Sequence, residues 1–202
     1  MTSPDTETAE RTPTQQPAGD TFLSDIFKFA IIALVIVIPF RMFIAQPFIV
    51  SGASMSPTFE TGQYLIIDQV TYEFDTPERG DVIIFKFPED PSKFFIKRVI
   101  GLPGEKVEID GSTVTVENVA DGTRLTLDET YVSEANRRSD FLTVTLGEHE
   151  YFVMGDNRAA SSDSRIWGPV TDDLIVGRAL VRLLPLKEFS LFPGIFHSPE
   201  LE

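Results

Sequence analysis

Hydrophobic and polar positions divide the chain into stretches of different character. Residues 1–21 are mostly Thr, Pro, Gln, Ser and acids and have almost nothing to bury, so a disordered tail is expected there. Residues 22–48 turn strongly apolar, with no charge from 29 to 40 and with Lys28 and Arg41 as borders. These 12 uncharged residues fall short of a membrane span, which takes about 20. Lysine and arginine snorkel, however, and Met42, Phe43, Ile44 and Ala45 lengthen the apolar path. A buried core helix is the other reading. A helix apolar on all sides suits lipid better than a small core, so 22–45 is predicted to be one transmembrane helix.

Beyond the anchor the period changes to that of strands. Short runs rich in β-branched and aromatic residues occur at 64–67, 82–87, 94–100, 107–109, 113–116, 142–146, 151–154 and 174–184. Turn residues separate them, among them Arg79-Gly80-Asp81, Leu102-Pro103-Gly104 and Asp110-Gly111. The predicted fold class is mainly β: an antiparallel, barrel-like domain over 46–202, closed or nearly closed to avoid long open edges. Residues 105–149 alternate apolar and polar positions and are read as a smaller, half-exposed β insertion. The stretch 187–202 offers no second span, so a single anchor is expected.

Composition narrows the chemistry. The chain has 202 residues and a formal charge of −14, and no basic groove for nucleic acid is evident. No cysteine is present, which excludes disulfides, thiol catalysis and cysteine metal sites. His149 and His197 lack ligand spacing, so neither a metal site nor a histidine base is expected.

Hydrolysis of a peptide by serine needs a nucleophile, a base and donors for the oxyanion. Residues 50–59 include Gly-Ala-Ser-Met-Ser-Pro-Thr, a small-residue loop that leaves the Ser54 hydroxyl exposed. Taken alone, it is also compatible with a plain turn. Lys97 can serve as base only when neutral, and Phe94, Phe95, Ile96, Val99 and Ile100 are neighbours that would desolvate it. By strand alternation Arg98 should then face away from any site that Lys97 faces. A surface lysine on an edge strand remains the alternative on residue pattern alone.

Three motifs in order carry more weight. They are the Ser54 loop, Lys97-Arg98-Val99-Ile100-Gly101-Leu102-Pro103-Gly104, and Gly155-Asp156-Asn157-Arg158 with Ser161-Ser162-Asp163-Ser164-Arg165. Together they resemble the bacterial type I signal peptidases, membrane-bound Ser-Lys proteases that remove signal peptides from exported proteins.

The resemblance implies Ser54 as nucleophile, Lys97 as general base and Ser161 as the hydroxyl that holds the lysine. Asp163 and Arg165 would form a supporting ion pair, and Val50, Met55, Phe59, Phe95 and Ile96 would line shallow pockets for small residues before the cut. It also implies a tail inside the cell and a catalytic domain outside, no cofactor, and signal peptides and the lipid bilayer as partners of a monomer. Two departures stand out. Gly52 occupies a position where some members carry an oxyanion-binding serine, which would leave the hole to backbone N–H groups, chiefly that of Ser54. Ala159 and Ala160 replace usual polar residues.

Two rival classes make different demands. A self-cleaving repressor of the related Ser-Lys fold should carry a DNA-binding helix pair, which 1–48 does not supply. A non-catalytic module on an anchored β scaffold would not need Ser54, Lys97 and Ser161 together.

Overall fold

A computed structural model describes residues 18–39 and 45–196. It divides into two units at Pro39/Phe40. The first unit contains helix α1, Ala18–Pro39. Its helical turns begin inside the stretch expected to be disordered, at residues 18–21; 1–17 lie outside the described residues. Phe22, Phe27, Phe29, Leu34, Val35 and Ile36 are exposed on it, and Lys28 pairs with Asp25 at 3.2 Å. Among the described residues no helix is long and apolar enough to cross a membrane. α1 is described as far as Pro39, and Ala45, the last residue of the predicted span, pairs with Asp68 as the first residue of a strand.

The second unit is built from two antiparallel sheets. The larger runs β1 (Ala45–Ile49), β2 (Tyr64–Asp68), β11 (Ile175–Leu184), β3 (Val82–Phe87), β4 (Asp90–Gly101), β9 (Glu150–Met154) and β10 (Val170–Thr171), with β12 (Ser190–Leu191) on β11. The smaller is ordered β7 (Arg124–Thr126), β6 (Thr113–Asn118), β5 (Glu105–Gly111), β8 (Asp140–Thr145). Each strand has its cause in the residue pattern. On β5 and β6, Val107, Ile109, Val114 and Val116 alternate with exposed or half-exposed polar residues and pack beside Ile100, Leu146, Phe152 and Met154. On β3, four consecutive apolar residues are buried because both faces are covered.

Barrel closure is incomplete. The strand order is an open path with β1 and β10 as its ends. β4 pairs with β3 along 82–87, but with β9 only from Arg98 onward. Among the described residues the leading half of β4 therefore has a free edge, as does β1. Phe48 and Phe94 meet edge to face at 5.3 Å, and the two free edges border one cavity. The functional opening is the gap left by the missing closure.

Candidate active site

The chain leaves β1 and enters the serine loop, which is tied down at its base. Val50 N donates to Gln63 O and Gly62 N to Val50 O, each at 2.9 Å. Gly52 takes φ 94°, a left-handed backbone that favours glycine. The residue that departs from the expected serine is therefore the one the loop geometry asks for. Met55 and Phe59 anchor the loop from beneath, in the core cluster with Val50, Leu65, Ile67 and Val82. They do not line the cavity, unlike Val50, Phe95 and Ile96.

The cavity measures about 500 Å³ and is bounded by residues 48–54 on one side and 93–97 on the other. At its inner end Lys97 Nζ lies 2.9 Å from Ser54 Oγ and donates to the Ile96 carbonyl at 2.8 Å. Two side chains 43 positions apart in sequence thus make one hydrogen bond. Lys97 is 4% exposed. Burial pushes its pKa from 10.5 down to about 8, against the opposing pull of Asp163 and Asp156. An amine in that range is neutral often enough near neutrality to take a proton from a hydroxyl.

The loop after β9 closes the site. Asn157 N donates to Ser54 O at 2.9 Å, so the loop is bonded to the nucleophile's own backbone. Asp163 accepts from Arg165 Nε at 2.8 Å and from Gly155 N at 3.1 Å, and it caps helix α2 (Ser164–Trp167). Burial works to raise the Asp163 pKa, but the Arg165 guanidinium and these hydrogen bonds hold it below the usual carboxylate range. Asp163 and Arg165 thus form an ion pair within the loop. Ser161 is buried in this loop, but its Oγ makes no hydrogen bond to Lys97, whose partners are Ser54 and Ile96. Gly155 lies between the two serines. A Cβ built on it would fall 2.6 Å from Ser161 Cβ and closer still to Ser161 Oγ and the Ser54 carbonyl oxygen.

Two buried ion pairs near this loop were not foreseen. Arg98, expected to face away from the site of Lys97, is only 1% exposed and grips the wholly buried Asp156 through Nε at 2.8 Å and Nη2 at 2.7 Å. Thr58 Oγ1 donates to the same carboxylate at 2.5 Å, and the Tyr131 ring stacks 4.0 Å from the guanidinium carbon. Arg98 thus joins the strand of the lysine, the loop of the serine and the Gly155 loop. Arg158 holds Glu129 through both guanidinium ends and donates from Nε to Gly155 O at 3.0 Å. The one signal in the sequence was the position of Arg98 and Arg158 inside motifs; their partners lie 58 and 29 residues away.

The chain is similar to known proteins. A family model described as signal peptidase, peptidase S26, matches residues 23–184. A probable signal peptidase I-1 from Synechocystis sp. is 36% identical over 86% of this chain and 88% of its own. A signal peptidase I from Leptolyngbya laminosa is 34% identical over 91% of this chain and 92% of its own. Among solved structures, a signal peptidase I from Enterococcus faecalis V583 aligns at 32% identity with 52% of this chain and 97% of that one, with a TM-score of 0.43. The matched region holds both Ser54 and Lys97, and the relatives are similar over most of their length, so this chain belongs to the signal peptidase family, peptidase S26.

Proposed function

We propose that the chain is a signal peptidase I, a serine endopeptidase that removes N-terminal signal peptides from exported preproteins after small residues. The observation that carries this reading is the 2.9 Å contact between a desolvated Lys97 amine and Ser54 Oγ at the end of a cavity bordered by two free strand edges. An extended peptide enters between these edges and adds as a strand. Neutral Lys97 takes the Ser54 proton as Oγ attacks the carbonyl before the cut. The Ser54 N–H steadies the oxyanion. Collapse breaks the C–N bond, and the proton passes from Lys97 to the leaving amine. Lys97, neutral again, then takes a proton from a water that attacks the acyl-enzyme ester, and passes it to Ser54 Oγ as the ester C–O bond breaks. Val50, Phe95 and Ile96 restrict the pockets to methyl-sized side chains, with Met55 and Phe59 as the packing behind them. The Asp163–Arg165 pair and the buried Ser161 hold the loop whose Asn157 N–H bonds to the Ser54 backbone, and so position the nucleophile.

In this reading the apolar segment from residue 22 up to β1 anchors the chain once in the cytoplasmic membrane, 1–21 stay inside, and 46–202 act outside as a monomer, with 105–149 as an inserted subdomain. Support comes from the uncharged run at 29–40 and from the exposed apolar side chains of α1. The test is incubation with a preprotein, with the cut mapped by mass spectrometry. Ser54→Ala, Lys97→Ala and Lys97→Arg should each abolish the cut while the domain stays folded; processing at the normal rate by any of them would overturn the dyad. Protease added to intact spheroplasts should digest the β domain and spare the tail, and full protection of the domain would reverse the topology.

A further inference from the structure

The cavity carries one charge that the dyad does not use. Of its lining residues only Lys93 and Lys97 are ionisable, although acids outnumber bases 31 to 17 in the chain. Lys93 sits at the outer end, on the free edge of β4, with its side chain 64% exposed. Its ammonium rests 2.9 Å from Asp90. That carboxylate is divided, because Ser92 Oγ at 2.6 Å and Ser92 N at 3.3 Å bond to it as well. The lysine therefore keeps capacity for a second anionic partner.

Its place along the cavity can be counted in substrate residues. Ser54 and Lys97 fix the scissile bond at the inner end, beside Ile96, where β9 begins to cover β4. The pocket walls for residues before the cut, Val50, Phe95 and Ile96, line this same cavity, so the upstream arm of the substrate runs from Ile96 toward Lys93. Three strand residues span about 10 Å, and an extended peptide alongside has the same rise. Lys93 then lies beside the fourth residue before the cut and within side-chain reach of the fifth.

We propose that Lys93 is a specificity-determining residue, which favours an acidic side chain over a basic one at the fourth to fifth position before the cut. This rests on the peptidase reading above. The test uses peptides identical except for Glu, Gln or Lys at the fourth or the fifth position, with kcat/KM measured for the full chain in detergent micelles. The wild-type enzyme should prefer Glu over Lys by about fivefold at low ionic strength, the size expected of an exposed pair. Screening should shrink the preference in 0.5 M salt to near one. Lys93→Gln should flatten it and Lys93→Glu invert it. The ratio is read within each enzyme, so a general loss of activity in a variant cancels. An unchanged Glu-to-Lys ratio in Lys93→Glu would overturn the proposal while leaving the peptidase reading intact. Failure of the wild-type enzyme to cut the Gln peptide would overturn both.

Discussion

Replacing Gly155 with alanine tests how tightly the serine and its loop are fitted. The added methyl lands 2.6 Å from Ser161 Cβ, where ordinary contact begins at 3.4 Å, and nearer to Ser161 Oγ and the Ser54 carbonyl. None of these atoms is the free end of a long side chain, so loop and nucleophile must part by about 0.8 Å in a close-packed setting. The 2.9 Å bond from Asn157 N to Ser54 O is the first casualty. Misplacement of reacting groups by about 1 Å costs roughly a hundredfold in rate. Overpacking adds a stability loss of about 1–3 kcal/mol. Gly101→Ala supplies the contrast: its methyl meets a Val107 methyl and, at 2.8 Å, Leu146 Cδ1, in the core of the smaller sheet. Both variants should melt at lower temperature than wild type. Measured well below those temperatures on a fluorogenic peptide, Gly155→Ala should lose about a hundredfold in kcat, and Gly101→Ala should stay within a few-fold. Near-normal turnover by Gly155→Ala, or equal losses in the two, would refute the claim that this glycine sets the dyad geometry.

Other outcomes follow from the buried charges and the cavity. With Lys97 at about 8, kcat/KM should rise with pH through a single group near that value; an acid limb near 4 would make a carboxylate the base. The folded pKa of Lys97 lies below its unfolded value of 10.5. Folding therefore releases a proton, and the stability this group withholds below pH 8 returns as pH rises toward 10.5. Lys97→Met should thus abolish cleavage yet stabilise the fold at pH 7, by on the order of 3 kcal/mol; a lower melting temperature than wild type at that pH would contradict this. Glu129→Gln strands the buried Arg158 cation and should cost about 3–5 kcal/mol in urea unfolding, and an unmoved midpoint would show the pair to be dispensable. A Phe or Leu just before the cut should block cleavage, and hydrolysis at the native rate would refute the pocket walls.

Most strands were legible because alternation or a short β-branched run marks each of them, as in 82–87 and 113–116. β1 was not, because Phe48 and Ile49 extend an apolar run that begins in α1, and a strand starting there has no boundary of its own. Ser54 and Lys97 stood out because each lies in a motif. The partner of Arg98 was not legible, for a physical reason. Alternation predicts only that Arg98 points opposite to Lys97; whether that side holds water or a carboxylate depends on Asp156, a partner brought in by β9. Met55 and Phe59 were equally ambiguous, since a large apolar residue fits a pocket wall and a core alike, and the structure buries both.

The position of β11 has a consequence for the birth of the enzyme. β2, which follows the serine loop, and β3, which leads into the strand of the lysine, do not pair with each other; residues 175–184 lie between them in the sheet, with Val181 opposite Ile66 and Arg178 opposite Ile83. While the chain is being made, its serine and lysine emerge long before the strand that unites their neighbours. Pairings this distant in sequence form late. A nascent or truncated chain that stops before β11 carries Ser54 and Lys97 but lacks the strand that joins β2 to β3, and it should not cleave until that strand is in place.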